Sequence, residues 1–227
     1  MKRKIDWQKE IRKIRIKNFA DVRNELSQKW LLEKLEKEEE RTNIPKEFII
    51  TQLVDYNILA ITKYAKDPNK QNIHESILYD YLLRDFNERG IKITDFSILP
   101  KGKGGKLITH DGIIINYDSK VKKTNKTLDI HFVYDGVDFY GSHKFTDESG
   151  GAQDNQFNDL KTFCESARNS RNNKNYFIAI IDGRYYTAKK RDELLDLCVP
   201  KYNTVLFSHE VSDFLLTNWP IIKKQRG

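Results

Sequence analysis

The chain has 227 residues, 38% of them apolar and 32% charged, with a net charge of +7 and a pI of about 9.1. That length and composition describe a globular protein of one domain to one and a half, and exclude a disordered chain. No stretch is apolar enough to span a bilayer, and no apolar run follows the charged N-terminus, so neither a membrane partner nor a signal peptide is expected. Cys164 and Cys198 stand far apart in apolar surroundings and read as reduced core residues of a cytosolic protein. The positive balance favours a polyanionic partner. Basic residues gather at 2–17, 101–106, 120–126 and 189–191. Such clustering is better evidence for a phosphate footprint than the total charge, although a solvated face explains any one cluster about equally well.

In chain order, residues 5–17 form a short basic amphipathic segment carrying Ile5, Ile11 and Ile14. The spacing of Leu26, Trp30, Leu31 and Leu35 predicts a helix over 20–42, broken at Asn43-Ile44-Pro45. Pro45 suits a first helical turn, and a second helix is predicted over 46–65. A third spans 72–89 and closes at Gly90. The period then shortens. Residues 91–96 read as a short strand, 101–105 as a flexible basic loop, and 107–117, 128–134 and 137–146 as three further strands. Asp135-Gly136 joins the last two as a hairpin. A helix over 151–169, a buried strand over 176–181, a helix over 188–198, a strand over 203–207 and a helix over 209–217 complete the chain. The expected fold is α/β (α+β): a mixed central sheet flanked by helices, with a helical N-terminal region at 1–70 and the main domain at 71–227.

Residues 128–156 carry the chemistry. Asp129 opens one strand. Ser142 and Lys144, two apart on the next strand, share a face that Asp129 can meet. Gly150-Gly151 then leads into a helix starting Ala152-Gln153-Asp154-Asn155-Gln156, whose positive end favours phosphate, although Asp and Asn also start helices for ordinary capping reasons. Other motifs are weaker. Ser142-His143 lacks a nucleophile elbow, and as strand neighbours the two face opposite ways. His110, His131 and His143 lack zinc spacing, and 101–106 lacks the Ser or Thr of a phosphate-binding loop.

Asp129, the x-Lys at 142–144 and the Gly-Gly-Ala-Gln break together resemble the PD-(D/E)XK nuclease superfamily over about residues 72–185, and type II restriction endonucleases within it. The resemblance implies a restriction-endonuclease-like sheet and a Mg²⁺- or Mn²⁺-dependent endonuclease cutting double-stranded DNA at a specific site, with a homodimer matching a two-fold target. It implies Asp129 as metal ligand, Lys144 as the residue handling the attacking water, and Gln153 at the helix start facing the site. Ser142 occupies the place of the second acid. That acid is then supplied by Glu148, Asp154 or Asp159, or the chain is an inactivated variant, or catalysis has been lost. Asp111, in the Thr-His-Asp-Gly run at 109–112, is the rival first acid, and Glu75 a candidate outer metal ligand. Lys101, Lys103, Lys106, Lys122 and Lys123 are the candidate DNA contacts, and the helical N-terminal region at 1–70 is expected to grip DNA or to dimerise. The alternatives are a catalytically silent DNA-binding subunit and a repair or junction nuclease of the same fold.

Overall fold

The computed structural model describes residues 4–55, 57–65, 73–118, 120, 125–147 and 151–226; of these, the side chains of 23 and 151–153 lie outside the description. The chain divides into a helical unit, Asp6–Ile73, and a second unit formed by Met1–Ile5 with His74–Gly227.

In the helical unit α1 (Trp7–Asn24) is started by Asp6, whose carboxylate accepts the Lys9 N–H at 3.1 Å. It joins most of the basic amphipathic segment at 5–17 to the first residues of the helix expected over 20–42. A break comes at 25–28, where half-buried Leu26 lies in a turn, and α2 (Lys29–Thr42) begins after it. Leu31 and Leu35, one turn apart, make the buried stripe of α2, which ends at Asn43 in the left-handed conformation. The single helix expected over 46–65 is two, α3 (Lys46–Val54) and α4 (Ile58–Tyr64). The Asn57 side chain accepts the Leu59 and Ala60 N–H groups, and a residue capping a helix start cannot also continue the helix before it. Val22, Leu31, Leu35, Ile49, Leu53, Ile61 and Tyr64 form this unit's core.

The second unit opens with α5 (Ile73–Glu88), after which Gly90 takes a positive φ of 65°. The strands are β1 (Ile93–Ile98), β2 (Lys106–Ile108), β3 (Ile114–Asn116), β4 (Lys126–Thr127), β5 (Ile130–Tyr134) and β6 (Val137–Phe145). Then come α6 (Gly151–Arg168), β7 (Asn175–Asp182), α7 (Ala188–Leu195) and β8 (Asn203–Phe207). Among the described residues the main sheet has the order β1-β5-β6-β7-β8. The first three strands pair antiparallel, while β6–β7 and β7–β8 pair parallel. Asp135 and Gly136, at φ 54° and 78°, make the tight β5–β6 turn that their types require. The parallel β6–β7 step needs a long crossover, which α6 supplies.

The run at 107–117 is not one strand of this meander. It folds back at Asp111-Gly112 into β2 and β3, which with β4 form a separate three-stranded sheet in the order β3-β2-β4. The antiparallel neighbour of β5 is β1 instead. Gly112, at φ 74°, packs so closely on Ser170 that a Cβ there would lie 2.3 Å from the Ser170 nitrogen, so this turn accepts only glycine.

Two cores sandwich the main sheet. On one face Phe157, Leu160, Phe163 and Cys164 of α6 pack against Phe177, Ala179 and Ile181 of β7. Burial and contact with Cys198 hold the Cys164 thiol well above its ordinary value, the sulfur contact being the larger cause. The two cysteines are free and lie next to each other, although they stand far apart in sequence. On the other face Phe132 and Phe139, directly opposed in register, stack with ring centroids 5.0 Å apart, and Phe139 meets Trp219 edge-on at 4.8 Å. Trp219 belongs to a helical run longer than the expected 209–217. A 3₁₀ turn (Ser208–Glu210), α8 (Val211–Asp213), a π-helical turn (Phe214–Asn218) and α9 (Trp219–Arg226) follow one another. Pro220 has no N–H to continue an α-helical ladder, and the wider π turn lies just ahead of it, with Trp219 N–H bonded to the Phe214 carbonyl. Phe139 is fully buried at the centre of this face. Phe139→Ala should lower the unfolding free energy by about 3–5 kcal/mol, read from urea denaturation.

Candidate active site at the start of β5

β5 begins at Ile130, opposite Gly141, so Asp129 stands immediately before it and opposite Ser142. Its backbone ties three elements together: its N–H donates to the Gly141 carbonyl at 2.8 Å, and its own carbonyl accepts from Leu99 N–H, just after β1, at 2.8 Å. The side chain is 1% exposed. One carboxylate oxygen, Oδ2, accepts the His143 backbone N–H at 2.8 Å and the Ser142 hydroxyl at 3.3 Å. Lys144 lies two residues beyond Ser142 on the same face of β6, half-buried, and pairs with no carboxylate among the described residues. The cross-strand register that the sequence implied for Asp129 and the 142–144 segment is therefore present.

The opposite face of β6 carries a second polar cluster, which the sequence did not reveal. His143 is 3% exposed, and its Nε2 lies 3.4 Å from Oδ2 of Asp182, the last residue of β7. Asp182 Oδ1 accepts the Ser208 hydroxyl at 2.9 Å. His74 on α5 contacts the Phe145 ring at 5.1 Å between centroids. Burial holds its imidazole below the ordinary value, and the neighbouring His143 adds to this. Glu75 is buried and paired with Lys101. Burial opposes its ionisation, but the Lys101 ammonium outweighs that and holds the carboxyl below the usual range.

The C-terminal ends of β6 and β7 are clamped together. Thr146 N–H donates to the Asp182 carbonyl, and Tyr185 N–H donates to the Thr146 carbonyl. Thr146 Oγ1 donates to Gln156 Oε1 at 2.9 Å and lies 3.5 Å from the Tyr186 hydroxyl. Burial pushes Tyr186 up to about 12. Gly183 fits here at φ 97°, where a Cβ would fall 2.2 Å from the Thr146 carbonyl oxygen.

The remaining candidates separate into those with other partners, those that are simply exposed and those outside the described residues. Asp154 accepts the Tyr185 hydroxyl at 2.5 Å, and Asp159 pairs with Lys126 at 2.5 Å. Asp111 is exposed in the β2–β3 turn, beside the C-terminal end of α6, where the His110 carbonyl accepts from Asn169 at 2.9 Å. α6 spans about 27 Å at 1.5 Å per residue, so that end is remote from the helix start next to β6. The structure thus does not bring Asp111 to Asp129. Lys101 is engaged by Glu75, Lys106 donates to Asn116 at 2.7 Å, and Lys103 is exposed. Glu148, Lys122, Lys123 and the side chain of Gln153 lie outside the described residues.

Mg²⁺ takes hard oxygen ligands, and a protein site for it usually contributes one or two carboxylates. Asp129 suits that role, but one of its oxygens is already occupied. No group of three or more His, Cys, Asp or Glu among the described residues is placed to hold a metal. The fit to the implied cation is partial: one carboxylate, with a hydroxyl where a second would stand.

No family model, curated relative or solved structure matches the chain.

Two outcomes follow from these contacts. Asp129→Ala leaves the buried His143 N–H without its acceptor and should cost about 1–3 kcal/mol of stability by chemical denaturation, whereas Asp129→Asn retains an acceptor and should cost less. Because the folded state lowers the His74 pKa below its ordinary value, the stability this imidazole contributes is fully present above about pH 6.5 and lost as pH falls through the lowered value. Denaturation at pH 7.5 and pH 5 should show a larger loss in the parent protein than in His74→Phe.

Proposed function

We propose that this chain acts on double-stranded DNA as a Mg²⁺- or Mn²⁺-dependent endonuclease of the PD-(D/E)XK kind, with Asp129 and Lys144 as its reacting pair. One observation carries the reading. With the small β2–β4 sheet inserted after β1, the main-sheet elements and their helices run α5-β1-β5-β6-α6-β7, and the antiparallel β5–β6 pair sets Asp129 against Ser142, with Lys144 two residues on along the same face. The net charge of +7 fits a polyanionic substrate.

The chain's own residues divide the work as follows. Asp129 is held rigidly by the His143 N–H and is the described carboxylate available to a hard cation. The Lys144 ammonium has no competing carboxylate among the described residues, which leaves it to meet a phosphate oxygen and orient the attacking water. A bound divalent cation would supply charge stabilisation on the phosphate and a more acidic water. Cutting both strands of a palindrome would take two copies of the chain related by a two-fold axis.

A second reading is favoured by a specific contact. The Ser142 hydroxyl donates to Asp129 in the position where the resemblance calls for an acid. On this reading the protein binds DNA without cutting it.

Incubation of supercoiled plasmid with the protein and Mg²⁺, alongside a binding assay, separates the two. The endonuclease reading expects Mg²⁺-dependent nicking or linearisation that Lys144→Ala abolishes. The silent reading expects binding without cutting. In that case Ser142→Glu, which sets a second carboxylate beside Asp129, should raise the melting temperature on Mg²⁺ addition and restore cutting. A protein that neither binds duplex DNA nor gains metal-dependent behaviour from Ser142→Glu overturns both.

A further inference from the structure

α1, far in sequence from the β5–β6 junction, carries a continuous face of exposed cations. α1 is amphipathic in an unusual sense. Trp7, Asn18 and Val22 are buried, with Ile11 and Ile14 half-buried on the same side. At 100° per residue these positions form one stripe. Lys9, Arg12, Lys13, Arg15 and Lys17 are all exposed on the remainder of the helix. Lys13 is bonded to Glu10 at 2.8 Å, while Lys9, Arg12, Arg15 and Lys17 pair with no carboxylate among the described residues.

The outer face has an internal order. Lys9, Ile16 and Ala20 run along its centre line. Arg12 and Arg15 flank that line on one side, Lys13 and Lys17 on the other. Ile16 is 58% exposed although apolar, and Ala20 is exposed and small. Two rows of cations about a helix diameter apart, with an apolar and a small side chain between them, match a duplex groove. The cations meet the two phosphate backbones, and the uncharged centre faces base edges, where an apolar side chain meets the thymine methyl. A basic amphipathic helix can instead lie on an anionic membrane, but that mode inserts the apolar stripe into the lipid. Here that stripe is buried or half-buried within the protein, with Val22 in the core of the helical unit.

We infer that α1 is a DNA-docking helix that places its Lys9–Ile16–Ala20 line in a groove of the duplex, with Arg12, Arg15 and Lys17 on the phosphates. The inference rests on the proposed action on DNA and assigns the grip to a unit other than the one carrying Asp129 and Lys144. It also explains why the basic loop at 101–106 is not required for it: Lys101 is taken by Glu75, and Lys106 by Asn116.

The test measures affinity of the full chain for a duplex as a function of salt. Each phosphate contact contributes about 0.9 to the slope of log affinity against log salt. Arg12→Gln, Arg15→Gln and Lys17→Gln together should therefore reduce that slope by about 2.7; raising salt from about 50 to about 200 mM then weakens the parent roughly 40-fold more than the variant. A control with Lys37→Gln, Lys92→Gln and Lys174→Gln, also exposed, lowers net charge equally and should leave the slope unchanged. Ala20→Glu, which removes no cation, should weaken binding at least tenfold. Circular dichroism checks that each variant retains its helices. A parent that binds duplex while the α1 triple keeps its slope, or while both triples lose slope equally, overturns the docking helix and leaves the nuclease reading standing. A parent that binds anionic vesicles but no duplex overturns both. Loss of cleavage with α1-dependent binding intact overturns the nuclease reading alone.

Discussion

β6 is the strand on which everything else in the larger unit depends. It is paired antiparallel to β5 on one edge and parallel to β7 on the other, so it sits where the sheet changes sense. A central strand has both edges and both faces committed, and its side chains alternate between two environments. Tyr140, Ser142 and Lys144 face the α6 side. Phe139, Gly141 and His143 face the aromatic core. Gly141 shows how tight the packing is: a Cβ there would lie 2.6 Å from Ile130 Cγ1. Any chemistry at Ser142 or Lys144 is thus carried on a strand that cannot shift register without moving every buried residue beside it.

Asp129, across from that strand, has two roles. It is a candidate ligand by residue type and position, and a structural acceptor by its bond to the His143 N–H. A buried acceptor bonded to backbone is held in one rotamer, which gives a reactive group fixed geometry but also occupies one of its oxygens. The scarcity of further carboxylates has the same physical basis. Asp182 and Glu75 are buried and have a hydroxyl or an ammonium partner, because a carboxylate drawn out of water is stable only when paired, and the exposed Asp154 and Asp159 are bonded to Tyr185 and Lys126. An acid close in sequence is therefore not thereby available to a metal.

The two units divide positive charge differently. In the larger unit Lys101 and Lys106 of the basic loop are bonded to neighbours, while Lys103 is exposed. In the helical unit α1 sets its cations outward, with its apolar stripe buried. Clustered charge in a sequence has the same appearance in both cases, and only the partners distinguish a partly engaged loop from an exposed face.

What the sequence by itself determined was local. The Asp-Gly hairpin, the glycine closing α5, the apolar period of α6 and the position of Asp129 across from Ser142 all follow from turn chemistry and a two-residue alternation, which act over a few residues. The long helix α1, the break at 25–28 and the new helix started by Asn57 were not legible, because a helix continues or stops according to what its stripe buries and which side chain caps the next one. The run 107–117 read as a strand because it alternates well enough for one. Gly112 packed on Ser170 turns it into a hairpin of a second sheet, and that contact joins residues nearly sixty positions apart. The His143–Asp182–Ser208 chain, the contact between Cys164 and Cys198 and the clamp of Thr146 on Gln156 and Tyr186 likewise come from parallel pairing and crossover. In a parallel sheet the register between strands is set by the helix that joins them and by the core it covers, so no short window of sequence contains it.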